Sequence, residues 1–134
     1  MDTGQVASSA ITVSGIYSND NAINLDTSEQ EIGTITITSN GGGAIISAKC
    51  NIVGSTAVLV TMRIRKDSTS GTVLDVANCI STSSADPAGS GVTVPLIGYD
   101  ASPSGSQVYK LTAQAVTGTP QAQYRRLLAT NLKK

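Results

Sequence analysis

Residues Ala57 to Asp67 read AVLVTMRIRKD. Val58, Val60, Met62 and Ile64 fall on one parity, and Thr61, Arg63 and Arg65 on the other. A strand sends successive side chains to opposite faces, so this run predicts a half-buried strand with an apolar inner face and a polar outer one. The same two-residue period recurs outward in both directions. Ile11 and Val13 alternate with Thr12 and Ser14. Ile35 and Ile37 alternate with Thr34, Thr36 and Thr38. In QVYKLTAQAV, Tyr109, Leu111, Ala113 and Ala115 share one side, and Lys110, Thr112 and Gln114 the other. The last run sets Tyr124, Leu128 and Leu132 on one parity, with Arg126 intruding. No stretch shows the i, i+3, i+4, i+7 apolar spacing of a helix between a cap and a stop.

Turn residues separate these runs. Asn40–Gly43 (NGGG), Asp67–Thr72 (DSTSGT), Ser84–Gly91 (SADPAGSG), Asp100–Ser106 (DASPSGS) and Thr117–Pro120 (TGTP) supply Gly, Pro, Asn and Asp where the chain must reverse. NGGG reads as a hairpin turn, and TGTP as the turn of a closing hairpin. Eight to ten strands at this spacing predict an all-β chain, an antiparallel sandwich of one domain over residues 10–134. Met1 to Ser9 are small and polar and read as a flexible N-terminal arm.

Composition narrows the function. The 134 residues are 40% apolar but only 3% aromatic, all Tyr, so the core must come from Ile, Val, Leu and Ala. Charged residues are 13% and the formal net charge is zero. The cations fall in small groups, not in the basic stripe of a nucleic-acid binder. No apolar run reaches the roughly 18 residues of a spanning helix, and the first residues lack a secretory signal's apolar core. A protein made and used without export is expected. Cys50 and Cys79 each sit in an apolar run. A buried thiol is the commoner reading and a disulfide between them the alternative.

There is no histidine. That removes the Ser-His-Asp triad, the Cys-His pair and most zinc and iron sites, so neither an enzyme nor a cofactor is expected. The nine acids fall mostly in turns. Ser18 to Asp26 (SNDNAINLD) has a passing look of a calcium loop through Asp20 and Asp26, but it lacks the glycine and terminal glutamate of that spacing. Several runs are apolar on both faces: AIISAKCNIV, Leu59 beside Val58 and Val60, and the continuous VPLIGY. One sandwich has one interior, so the surplus predicts burial against another copy of the chain.

The segment Val58 to Leu74, followed by Gly91–Gly118 and the terminus LLATNLKK, resembles the tumour-necrosis-factor-like (complement globular-head) jelly roll and the short jelly rolls of phage and viral appendage or decoration proteins. The resemblance spans about residues 30 to 134. It implies a jelly-roll sandwich that assembles as a homotrimer, with Tyr109, Leu111, Tyr124 and Leu128 at the axis or between subunits. Low aromatic content, with neither a signal peptide nor a collagen-like stalk, points to a virion part made in the host cytoplasm. It would be a capsid decoration (cement) protein or a short-fibre head. Met1 to Ala10, including Asp2, Thr3, Gln5 and Val6, would dock on the major capsid protein or another virion component. The alternatives are a receptor- or glycan-binding module on a fibre tip, using the loops Ser81–Gly91 and Tyr99–Ser106, and a cellular surface-layer module. No nucleic acid and no membrane are expected as partners.

Overall fold

The computed structural model describes residues 11–87 and 89–132. The arm residues Asp2, Thr3, Gln5 and Val6 lie outside them. Among the described residues nine strands follow one another: β1 (Ile11–Asn19), β2 (Ile23–Asn24), β3 (Gln30–Thr38), β4 (Ala44–Val53), β5 (Leu59–Lys66), β6 (Val73–Ile80), β7 (Val92–Asp100), β8 (Ser106–Ala115) and β9 (Gln121–Leu132). They form two antiparallel sheets. One has the order β1-β9-β4-β7, with β2 continuing β1 along β9; the other has the order β3-β8-β5-β6. Successive strands alternate between sheets, except for β1–β2, which share β9 as partner, and the β5–β6 pair, and the first long strand lies beside the last. This is the strand order of a jelly roll, the double-sheet solution for an all-β chain.

The expected closing hairpin is not one. β8 pairs with β3 and β5 in one sheet, and β9 pairs with β1 and β4 in the other. The Thr117–Pro120 turn is therefore an arch between sheets, with Gly118 at φ 69°. Likewise β3 and β4 do not pair, so Asn40–Gly43 is an arch and not a hairpin turn. Gly41 at φ 92° holds the left-handed conformation expected there. Asp67–Thr72 does close a hairpin, between β5 and β6. Turn residues report that a chain reverses. They do not report whether it reverses within a sheet or across the core.

The inward parities of β5 and β8 are those of the sequence: Val60, Met62 and Ile64, and Tyr109, Leu111, Ala113 and Ala115, are all buried. They meet Ile46, Ala48, Cys50 and Ile52 of β4, Val94 and Leu96 of β7, and Leu127 and Ala129 of β9 in one core. β9 departs from simple alternation. Its pairing with β4 steps from Lys49↔Arg126 to Asn51↔Gln123, so β9 carries one extra residue there. Tyr124 sits in this bulge at φ 50°, and the parity flips on passing it. Arg125 is thereby turned inward. Its guanidinium donates to the Tyr17 hydroxyl (3.0 Å), the Ile32 carbonyl (2.8 Å) and the Asn21 carbonyl (3.0 and 3.2 Å). One buried cation thus ties β1, its following loop and β3 to β9. Paired neutral acceptors meet the requirement that a buried donor be satisfied.

Candidate interaction surface

The two outer faces differ in chemistry. On the β3-β8-β5-β6 sheet, Glu29 lies over the polar parity of β5 and β8. Its carboxylate accepts from Arg63 (3.0 Å), Arg65 (2.9 Å to Nη2) and the Thr112 hydroxyl (2.6 Å). The Arg65 hydrogen bonds outweigh the opposing effect of burial, and with Thr112 and the Arg charges they hold the Glu29 carboxyl below its ordinary range. Lys110 pairs with Glu31 beside it. The charges on this part of the face are matched within the chain.

The outer face of the β1-β9-β4-β7 sheet is different. Ile16, Leu128, Ser47 and Ile97 lie opposite one another in sequence across four strands. Ile16 is 71% exposed and Ile97 66%. The neighbouring row is Thr130, Ile45 and Tyr99, with Tyr99 also exposed. A shallow groove of about 370 Å³ runs through this region, lined by Ile16, Ser47, Lys49, Pro95, Arg126 and Leu128 among others. Outward apolar side chains in neighbouring register positions, Ile16 beside Leu128 and Ile45 beside Tyr99, make an apolar patch interrupted by Ser47, unlike scattered single residues. The surplus apolar residues of AIISAKCNIV and VPLIGY therefore do face outward here. The other sheet also carries outward apolar residues at its β6 side: Val73 and Val76, and, at one end, Leu59, Ile80 and Val116.

Toward the other end, the β1-β9-β4-β7 face turns polar. Gln123, Asn51 and Thr93 form a row across β9, β4 and β7. Tyr124 in the bulge, with Lys49, Asn51 and Thr93, lines a depression of about 290 Å³. Beyond Gln123 a cleft of about 710 Å³ opens at the end of the sandwich. Its walls are the β4–β5 arch, the β6–β7 arch and the start of β9, and they carry Thr82, Ser83, Asp86, Ser90 and Gln121. Asp86 accepts from the Ser83 amide at 2.7 Å, and Thr82 accepts from the Gly54 amide at 3.1 Å, which shapes the arch.

The residues assigned from the resemblance divide. Tyr109 and Leu111 are fully buried within the protomer, so they are core residues and cannot face another subunit. Period-two alternation marked their parity but could not tell the space between sheets from a subunit interface. Leu128 and Tyr124 do lie on the outer face. The loops Ser81–Gly91 and Tyr99–Ser106 flank opposite ends of β7, about 25–30 Å apart along the strand, so they do not form one site. Asp20 pairs with Arg126, and Asp26 caps the Ser28 amide at 2.7 Å. Among the described residues no group of three acidic or cysteine side chains could hold a metal ion. Cys50 and Cys79 are free thiols. Neither the buried Arg125 nor the Gln123–Asn51–Thr93 row has a signal in the sequence, since both depend on the β9 bulge and on strand pairing.

No protein-family model matches the sequence, and no curated protein is similar to it. Among solved structures, the infectious bursal disease virus VP2 subviral particle matches at a TM-score of 0.55 and 14% identity, over 91% of this chain and 33% of that one. The chain thus spans about a third of VP2. A family 6 carbohydrate-binding module from Clostridium cellulolyticum, in complex with xylose, matches at 0.37 and 15% identity, over 96% and 94%. The second likeness is too loose to bear on this chain. The first is a likeness of fold, and it agrees with the jelly-roll order of the strands.

Proposed function

We propose that this chain is a structural protein of a virus particle and acts through self-assembly, not catalysis. The observation that carries the proposal is the outward cluster of Ile16, Leu128, Ile97 and Tyr99 on one outer face, set against the ion-paired Glu29 region of the other. An exposed cluster of this kind is stabilised when a second surface removes it from water, at roughly 25 cal/mol per Å² of apolar area. The VP2 likeness supports the reading at the level of fold, because a similar fold occurs in a viral protein that forms a subviral particle. In this reading the assembly is a homotrimer, with Leu128, Ile97 and Tyr99 between subunits. Residues Met1 to Ala10 then dock the trimer on the major capsid protein.

Light scattering on dilute purified protein tests the assembly. A mass of three chains is expected, falling to one chain in Ile97→Glu. A monomeric wild type sinks the self-assembly reading. Antiserum against the protein, applied to gradient-purified particles from its source, tests the location; particles without the antigen sink the virion assignment.

A further inference from the structure

We infer that the polar end of the β1-β9-β4-β7 face, from the Tyr124 depression into the adjoining cleft, binds a saccharide. This goes beyond the self-assembly reading and does not depend on it. Two independent observations converge on the place.

The first is unused hydrogen-bonding capacity. Most Asn and Gln side chains among the described residues are engaged: Gln107 with Asp67, Gln114 with the Thr27 carbonyl, Gln121 with Asn24, and Asn131 with the Gly42 and Gly43 carbonyls. No hydrogen bond within the described residues uses the side chains of Gln123, Asn51, Thr93 or Tyr124. Yet pairing sets the first three side by side on adjacent strands about 4.8 Å apart. Two amides and a hydroxyl at that spacing offer paired donors and acceptors, the pattern that vicinal sugar hydroxyls present.

The second observation is strain. Tyr124 is half-exposed and holds φ 50°, a conformation that a bulky residue rarely adopts. Asn or Gly would fit there at lower cost. Such outliers concentrate where a side chain must be aimed. Here the bulge aims an aromatic ring, the group on which the C–H face of a sugar stacks.

The cleft extends this polar row past Gln123, with Thr82, Ser83, Ser90 and Gln121 on its walls. A ligand spanning depression and cleft meets Tyr124 and Asn51 with one ring and the Gln123, Gln121 and Thr82 wall of the cleft with the next. The lining of both is predominantly hydroxyl and amide, with Lys49 and Asp86 at the margins, which suits a polyhydroxylated ligand better than an ion.

The test is affinity electrophoresis of the full chain in gels containing xylan, mixed-linkage β-glucan, galactomannan, dextran or alginate, together with an oligosaccharide array. Retardation in at least one gel is expected. Tyr124→Ala and Asn51→Ala should each weaken it by about tenfold, the size of one lost stacking or hydrogen-bonding contact. Tyr124→Asn keeps a residue suited to positive φ while removing the ring. It should match wild type or exceed it in melting temperature and still lose retardation, which a merely structural role for Tyr124 would not produce. Ile97→Glu, aimed at self-association, should keep the per-site affinity of wild type for a short oligosaccharide that engages one site, although a monomer loses avidity for the polymer gel. No retardation in any gel and no array signal overturns the inference. So does retardation that survives both Tyr124→Ala and Asn51→Ala, or a per-site affinity lost equally in Ile97→Glu.

Discussion

The Tyr109 hydroxyl donates to Asp100 Oδ2 at 2.8 Å inside the sandwich, joining a central strand of one sheet to the last residue of the edge strand of the other. Asp100 also accepts from Lys66 Nζ at 3.0 Å and from the Ser102 amide at 3.1 Å. Tyr109 is fully buried, and Asp100 is nearly so. This contact is an inter-sheet clasp, which explains why the largest core side chain is a tyrosine in a core otherwise aliphatic. Tyr109→Phe keeps the ring and removes the donor, leaving a buried carboxylate short of one partner. We expect a loss of about 1–3 kcal/mol in urea unfolding with an unchanged slope. An unchanged midpoint would show that Lys66 and Ser102 alone satisfy Asp100.

Acid should weaken the fold through two carboxylates. Glu29 is lowered from 4.5, chiefly by the Arg65 hydrogen bonds against the effect of burial. For Asp100, burial acts upward, but the Tyr109, Lys66 and Ser102 hydrogen bonds prevail and lower it from 3.8. A carboxyl whose folded pKa lies below its unfolded value binds protons more readily when unfolded. Its contribution is thus complete above the unfolded pKa and is lost as pH falls through the folded one. Stability should therefore hold steady at neutral pH and decline as pH drops below 4.5 and then below 3.8. Glu29→Gln should unfold at lower urea than wild type near neutrality, and the two midpoints should converge in acid. Parallel curves at all pH values would exclude Glu29 as a source of the dependence.

The inner faces of β5 and β8 were legible because both strands alternate without interruption, and there side-chain parity alone separates core from solvent. β9 was not legible in the same way. Its bulge at Tyr124 shifts the phase, so Leu127 and Ala129 face the core and Leu128 faces out, and an arginine lies buried where no periodic reading would put it. The arches at Asn40–Gly43 and Thr117–Pro120 misled for a related reason. A left-handed glycine serves a hairpin and an inter-sheet crossing equally well, and only long-range pairing distinguishes them. Outward apolar residues such as Ile97 and Leu59 could be foreseen, because a strand apolar on both faces has one face too many for a single interior. Which face would also bring Gln123, Asn51 and Thr93 into a row could not be foreseen, since it depends on the register of three strands far apart in sequence.

The thiols should differ in reactivity. Burial, with a smaller contribution from nearby Cys79 and some opposition from Arg125, pushes the Cys50 thiol up to about 12. Burial also raises Cys79, which is less enclosed. The thiolate is the reactive form, so native Cys50 should resist a disulfide reagent at about pH 8. A native sample should titrate at most the Cys79 thiol, slowly, and both thiols should react at once in denaturant. Rapid native labelling at Cys50, located by peptide mass, would mean that the sheets open at β4 far more readily than this packing implies.

The seam between the sheets offers the sharpest steric test. At the edge of its sheet, the Ile97 amide donates to Asp75 Oδ2 of β6 at 2.8 Å. One residue on, a Cβ added to Gly98 would lie 2.8 Å from Leu74 Cβ and 3.3 Å from the Leu74 carbonyl carbon and oxygen. Backbone on one side and a β-carbon on the other leave no flexible tip to move, so β6 and β7 must separate to admit a methyl group. Gly98→Ala should cost about 1–3 kcal/mol by overpacking, although alanine suits a strand better than glycine does. Asp75→Ala should cost less in stability but leave an unpaired amide on an exposed strand edge, the feature through which sheets add further strands. It should therefore raise light scattering over hours at high concentration while its urea midpoint moves by about 1 kcal/mol or less. A Gly98→Ala protein as stable as wild type would show that the seam is looser than drawn here. An Asp75→Ala protein that stays clear would show that Ile97, Tyr99 and the twist of β7 protect the edge without the carboxylate.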